Sequence, residues 1–194
     1  MSEELSLVLT VSLAAFWILC EKLKPANHQK FFRKGFFADL VYYTLAQSYV
    51  LGLIIFGFIH WLDNQQGANR FEAVSNWPII LQFIFFFILH DLYIYAFHRL
   101  QHAVPFLWRF HEAHHSVENV DWLAGSRSHP VEILINQTVE FLPIILLGAD
   151  PQVALWKGIV DAGWGMYIHS NIRIEHGILK YLFNGPHMHR WHHN

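Results

Sequence analysis

Five apolar stretches separated by short polar segments dominate the chain, at residues 5–20, 40–61, 78–97, 131–147 and 153–169. The first three approach the ~20 residues that a helix needs to cross a bilayer, so they predict membrane helices. The first stretch follows Glu3 and Glu4 rather than a basic segment, which predicts a retained helix and not a signal peptide. Asp150 and Pro151 lie between the last two stretches, where they favour a helix cap and a helix start. These two stretches therefore predict a helical hairpin.

Composition agrees with a membrane protein, because 54% of the residues are hydrophobic and 14% are charged. We predict an all-α fold: a multi-pass transmembrane helical bundle of about four to five membrane helices with a cytosolic histidine-rich cap. Residues 1–77 would supply N-terminal membrane helices and loops, and residues 78–194 would form a second region.

Basic residues predict the orientation of the chain in the membrane. The first polar loop contains several of them, whereas the loop between the second and third stretches contains only Arg70; the first set is Lys22, Lys24, Lys30, Arg33 and Lys34. The positive-inside rule places the first loop in the cytoplasm. The third helix then returns to the cytoplasm near His98, and the hairpin starts and ends on that side. Every histidine cluster is therefore expected on the cytoplasmic side.

Charge and cysteine content exclude some classes of protein. The net charge of -2 provides no basic patch, so nucleic acid is not an expected partner. Cys20 is the single cysteine, so neither an intramolecular disulfide nor a cysteine-based metal site is available. The 15 histidines, by contrast, outnumber the 13 lysines and arginines and call for a chemical explanation.

Most histidines occur in boxes with spacings of three or four residues, which place side chains on one face of a helix. The boxes are His98 and His102; His111, His114 and His115; and His189, His192 and His193. His169, at the end of the hairpin, is a candidate ninth ligand. Eight or nine imidazoles suit two metal ions with about four protein ligands each. Ligand type alone leaves iron, zinc, copper and nickel open.

Polar residues outside the boxes have two candidate roles. Asp91 lies about 20° from His98 and from His102 on a helical wheel. It is therefore a candidate to accept a hydrogen bond from the second ring nitrogen of a ligating histidine and so to orient that ring. Alternatively, it pairs with Arg99 or a tyrosine hydroxyl. Other polar residues lie within the hairpin and either shape a substrate cavity or bridge helices; they are Glu132, Asn136, Gln137, Glu140, Lys157 and Asp161.

The ordered motifs resemble the fatty acid hydroxylase superfamily, which includes sterol desaturases, sterol C4-methyl oxidases and fatty acid 2-hydroxylases. The resemblance covers roughly residues 78–194. It rests on five segments: Asp91-Leu-Tyr-Ile-Tyr-Ala-Phe-His98-Arg99-Leu-Gln-His102, Leu107-Trp-Arg-Phe-His111-Glu-Ala-His114-His115-Ser116, Arg127-Ser-His129-Pro130-Val-Glu132, His169-Ser-Asn171 and Pro186-His-Met-His189-Arg-Trp-His192-His193.

The resemblance implies a di-iron centre, with zinc as another occupant, held by the boxes and His169. It further implies O2-dependent hydroxylation or desaturation of a membrane lipid, such as a fatty acyl chain or a sterol. Electrons would come from an external donor such as cytochrome b5 or ferredoxin with its reductase. Two departures from the family pattern stand out. Gly165 occupies a position where some members carry histidine. Members of the family also usually continue well past the third box, whereas this sequence ends at Asn194, which indicates a truncated or partial sequence.

Two alternatives come from other classes of protein. His111-Glu112-Ala113-His114-His115 also satisfies H-E-x-x-H, the zinc metalloprotease pattern with Glu112 as general base. An intramembrane protease would leave the box at His98 and most of the box at His189 unexplained. A metal transporter or haem-binding protein would place its ligands near the bilayer midplane, whereas these boxes are expected at the membrane edge.

Overall fold

The computed structural model describes residues 3–66 and 71–193, with Arg70 and Asn194 outside the described residues. Its α-helices are α1 (Glu3–Leu23), α2 (Ser48–Gln66), α3 (Ile79–Ala103), α4 (Pro105–His115), α5 (Pro130–Leu146), α6 (Pro151–His169) and α7 (Pro186–His192). A π-helix, Ala38–Gln47, precedes α2, and short 3-10 helices cover Ala124–Ser126 and Gly177–Tyr181. Within these ranges the only β pairing is an isolated bridge between Pro25 and Ile172. The predicted all-α class is confirmed.

Within the described residues, three helical segments are long and apolar enough to cross a membrane: Glu4–Leu23, Ala38–Ile55 and Ile79–Ala103. Their outer faces expose large apolar side chains, with Leu7 65% and Leu92 60% exposed. Such surfaces suit lipid contact rather than water. The predicted multi-pass bundle is thus confirmed. The predicted count of four to five included the hairpin helices α5 and α6, which are 17 and 19 residues long and fall outside this set.

The hairpin forms as its turn chemistry predicts. Asp150 accepts a hydrogen bond from the backbone N–H of Gln152 through Oδ1 at 2.8 Å, and α6 begins at Pro151. Gly148 adopts φ +72°, a left-handed conformation that favours glycine. A side chain on Gly148 would approach Glu72 Cα to 3.0 Å, so the turn also needs the missing Cβ.

Two compact units make up the chain. The first consists of Met1–Leu45, Ala113–Ser128 and Ile159–Asn194, and the second of Ala46–Glu112 and His129–Gly158. The proposed sequence domains at residues 1–77 and 78–194 are a separate division and stay a prediction.

In the second unit, a buried apolar cluster joins α3 to the hairpin. Its centre is Val74, Phe86, Ile144 and Val153. The buried side chain of Gln82 accepts a hydrogen bond from the Asp150 N–H at 2.8 Å. The turn of the hairpin is therefore fixed against α3 by both apolar packing and a hydrogen bond.

In the first unit, the end of α1 is tied to the segment after α6. Glu21 Oε1 accepts hydrogen bonds from the backbone N–H groups of Trp122, at 2.7 Å, and Asn171, at 2.8 Å. The Ala26 N–H donates to the Asn171 carbonyl at 2.9 Å. These contacts hold in place the backbone that follows His169.

Candidate metal centre

Four histidines of the first unit converge at their Nε2 atoms. His114 lies near the end of α4, His169 is the last residue of α6, and His189 lies in α7, followed by His193. One ring nitrogen of each lies within 4.8 Å of those of the other three. Gly185 precedes α7 and Pro186 begins it, so the short helix starts where it carries His189 into this cluster. We call these residues the four-histidine cluster.

The spacing of the nitrogens fits ligands of one ion. Nε2 of His169 lies 3.2 Å from Nε2 of His114 and 2.8 Å from Nε2 of His189, whose Nε2 lies 3.1 Å from that of His193. Metal–nitrogen bonds of ~2.1 Å place neighbouring ligands about 3.0 Å apart at right angles and about 3.4 Å apart in a tetrahedron. The donor set therefore has the dimensions of a coordination shell.

Backbone carbonyls orient two of these rings. His114 Nδ1 lies 3.0 Å from the Arg127 carbonyl oxygen, and His169 Nδ1 lies 2.7 Å from that of Gly165. A carbonyl only accepts, so in each ring Nδ1 carries the proton and donates. The Nε2 lone pair is then directed into the cluster, as a metal ligand requires.

Burial disfavours protonation of two histidines of the cluster, His169 and His189. His114, His169 and His189 are 7%, 5% and 5% exposed. Burial, followed by the neighbouring histidines His169, His114, His193 and His192, lowers the pKa of His189 well below its usual value. A neutral imidazole is the form that binds a metal, so the site favours ligation over protonation.

A second group of histidines forms within the second unit, from α3 and α4. His98, His102 and His111 each offer a nitrogen within 4.8 Å of the others, and their ring centroids are 4.6 to 5.0 Å apart. The buried His111 places Nδ1 2.9 Å from Glu132 Oε1. Glu132 thereby fixes the ring of His111 and leaves Nε2 for a ligand, as in carboxylate–histidine–metal arrangements. We call these residues the three-histidine group.

The two remaining box residues lie next to each other in the first unit, with their rings edge to face. The ring centroids of His115 and His192 are 4.7 Å apart, and His115 lies 4.5 Å from His193. Each candidate ligand of the sequence analysis thus has other candidate ligands of its own unit as neighbours. Their role as ligands stays a prediction.

Asp91 does not occupy the environment beside ligating histidines that its position on the helical wheel suggests. Its side chain is exposed, and in the described part of the chain no hydrogen bond or ion pair of its carboxylate is seen. Arg99, considered as its partner, instead donates to the Tyr95 hydroxyl at 2.7 Å. An orienting role for Asp91 stays a prediction, whereas Glu132 makes the contact that this role requires.

Sequence reasoning missed three orienting contacts. Glu132 was considered only as a residue that lines a cavity or bridges helices, and the carbonyls of Arg127 and Gly165 were not considered. The motif that joins Arg127 to Glu132 did carry a signal, because a carboxylate that follows a histidine box is a typical partner of a ligating imidazole.

A family model described as fatty acid hydroxylase matches residues 83–194. The chain is 36% identical over 120 residues to ornithine lipid hydroxylase OlsE of Rhizobium tropici, covering 62% of this chain and 36% of that protein. It is 28% identical over 103 residues to alkylglycerol monooxygenase of Homo sapiens, covering 53% of this chain and 23% of that protein. The corresponding values for methylsterol monooxygenase 1 of Rattus norvegicus are 28% over 109 residues, covering 55% and 37%.

The aligned part of the chain thus spans less than two fifths of the length of each of these relatives. No solved structure matches the chain. The family model covers more than half of the sequence and includes all nine candidate histidine ligands. The chain therefore belongs to the fatty acid hydroxylase family.

Proposed function

We propose that this protein is an O2-dependent membrane oxidoreductase that hydroxylates or desaturates a lipid at a di-iron centre. The observation that carries the proposal is the convergence of four Nε2 atoms in the four-histidine cluster, three of them on buried histidines. Family membership supplies the reaction class, since the relatives named above are hydroxylases and monooxygenases.

One ion would be held by His114, His169, His189 and His193. A second would take ligands from the remaining boxes, in which the three-histidine group already provides three nitrogens. His115 and His192 are further proposed ligands, from the family resemblance. Imidazole also binds zinc, so zinc is an alternative occupant of either position. When bound, a pair of iron ions would supply the oxygen activation that oxidation of an unactivated C–H bond needs.

The protein's own residues would hold and shield this centre. Arg127, Gly165 and Glu132 fix ring orientation through Nδ1, and burial of these rings limits access of water. Hydroxylation converts O2, two electrons, two protons and a C–H bond into an alcohol and water, so an external electron donor is required. Cytochrome b5, or a ferredoxin with its reductase, fits this requirement.

A membrane lipid is the proposed substrate. The printed names of the relatives specify an ornithine lipid, an alkylglycerol and a methylsterol. Three candidate membrane helices would give such a molecule access to the protein from the bilayer. The excess of lysine and arginine in the first loop supports a cytoplasmic position for the histidine boxes.

The zinc protease alternative finds no support. The family model and the relatives named above belong to lipid and sterol oxygenases. Glu112, the general base of that alternative, has an exposed side chain.

Metal analysis combined with lipid mass spectrometry tests the proposal. Protein purified from iron-supplemented cells should contain about two iron ions per chain, and cells grown under 18O2 should accumulate an oxidised lipid, labelled if it is an alcohol and unlabelled if it is an alkene, only when the protein is present. A lipid that gains one oxygen atom indicates hydroxylation, whereas one that loses two hydrogens indicates desaturation. Protein that lacks iron after supplementation, together with an unchanged lipid profile, would contradict the proposal.

A further inference from the structure

A buried ion-pair network in the first unit links the loop before the π-helix to the loop after α4. Arg33 donates from Nε and Nη2 to Asp121 Oδ2 and Oδ1 at 2.8 and 2.7 Å. The same Nη2 lies 2.8 Å from Asp39 Oδ2, and Arg127 Nε donates to Asp39 Oδ1 at 2.6 Å. Asp39 therefore bridges two guanidinium groups.

The network is closed to solvent and balanced in charge. The side chains of Arg33 and Asp39 are 1% and 0% exposed, and that of Arg127 is 13% exposed. Burial opposes the charge on Arg33, but hydrogen bonds and attraction from Asp121 and Asp39 more than offset it and raise the pKa of Arg33. Two guanidinium groups thus face two carboxylates, and removal of one would leave another buried charge without compensation.

Arg127 connects this network to the four-histidine cluster. Its carbonyl oxygen lies 3.0 Å from His114 Nδ1, and its Nη1 donates to the carbonyl and hydroxyl of Ser116 at 3.3 and 3.2 Å. Arg127 therefore contacts both the imidazole of His114 and the backbone two residues beyond it. The position of its carbonyl depends on where Asp39 holds its guanidinium.

Two glycines make room for this arrangement. Gly35 has φ +84°, and a Cβ there would collide with the guanidinium of Arg127. Gly125 lies beside the ring of His169, where a Cβ would come within 2.7 Å of Nδ1. The loop that carries Arg127 therefore fits closely between Asp39 and two rings of the cluster.

We propose that Asp39 is a positioning residue for the four-histidine cluster: through Arg127 it fixes the orientation and the tautomer of His114. Asp39 lies outside residues 83–194, so the site would depend on a part of the chain that the family model leaves unmatched. The π-helix contributes to its placement, because Thr44 Oγ1 donates to the Asp39 carbonyl at 2.8 Å across five residues. This inference rests on the proposed metal-binding role of the cluster.

The test measures Co2+ binding to the full-length protein in detergent, by competition with a chelator and by the visible absorption spectrum of the bound ion. Asp39→Asn preserves shape and removes the charge that holds Arg127. We expect its Co2+ affinity at the four-histidine cluster to fall about 10- to 100-fold, as for other residues that orient metal ligands, and the spectrum to change. Lys34→Gln removes an exposed charge from the same loop, where Lys34 pairs with Glu118, and should leave both measurements unchanged.

Arg127→Lys provides a second variant if Asp39→Asn does not fold. Lysine keeps the backbone carbonyl and a positive charge but cannot contact Asp39 and Ser116 simultaneously as guanidinium does. A weaker affinity with an altered spectrum is again expected. Wild-type affinity and spectrum in a folded variant would overturn the positioning role alone. A wild-type protein that binds no Co2+ would overturn the proposed metal site and this inference together.

Discussion

Nε2 of His169 and Nε2 of His189 lie 2.8 Å apart in a buried environment. Two neutral imidazoles at this distance either share one proton or direct both lone pairs at a cation. Because the Nε2 atoms of His114 and His193 lie beside them, we favour the second arrangement, in which four Nε2 lone pairs meet at one position.

Replacement of His189 should therefore remove one metal ion. We expect His189→Ala to retain about half of the wild-type iron, and His114→Ala to behave in the same way, because each loses one of four ligands of the same ion. Iron quantified per chain after purification measures this effect. His187→Ala is the matched control, since His187 lies on the same helix with an exposed side chain. Wild-type iron content in His189→Ala would exclude the four-histidine cluster as a metal site.

Glu132→Gln should weaken metal binding at the three-histidine group. The carboxylate lies 2.9 Å from His111 Nδ1, and a neutral amide would stabilise the donor tautomer of that ring less well. We expect affinity for the second ion to fall about tenfold, as measured by chelator competition. Asp91→Asn provides the comparison, because helix phase favoured Asp91 for the same role. A larger loss of affinity in Asp91→Asn than in Glu132→Gln would instead support Asp91 as the residue that orients the ligating ring.

The contrast between Asp91 and Glu132 shows what local sequence patterns reveal. Spacings of three and four residues were sufficient to group the histidines, because these relations act within one helix. Turn residues were likewise sufficient to predict the start of α6 at Pro151. Glu132 lies 21 residues from His111. Such a contact depends on tertiary packing, which helix phase does not describe.

Other features of the site were beyond sequence reasoning for a related reason. The carbonyls of Arg127 and Gly165 orient rings irrespective of the side chains at those positions, so residue type carries no signal for them. Asp39, which accepts a hydrogen bond from Arg127, lies 88 residues before it in the sequence. The pattern of apolar residues predicted a helix there but not the π-helical geometry that places Asp39.

Gly125→Ala should disturb the site while retaining the fold. A Cβ at this position would lie 2.7 Å from His169 Nδ1, so the ring would have to move away from the Gly165 carbonyl. We expect about a 10- to 100-fold loss of metal affinity and an altered Co2+ spectrum. Gly165→Ala is the matched control, because a Cβ there meets open space and the carbonyl is retained. Equal affinity in the two variants would contradict the packing of Gly125 against His169.

Lys157 and Glu140, two polar residues of the hairpin, bridge helices in the second unit, and this bridge leads to a stability prediction. The fully buried Lys157 contacts His90 Nδ1 at 2.8 Å and Glu140 Oε1 at 3.1 Å, which joins α6 to α3 and α5. Lys157→Met would leave the carboxylate of Glu140 buried without its cation, at a cost of about 3–5 kcal/mol in the free energy of unfolding. Lys157→Met combined with Glu140→Gln should recover most of that loss, because no buried charge then lacks a partner.

Reversible unfolding in detergent measures both variants, with Lys180→Met as the control for removal of an exposed lysine. Additive losses in the double variant would show that Lys157 and Glu140 do not stabilise each other.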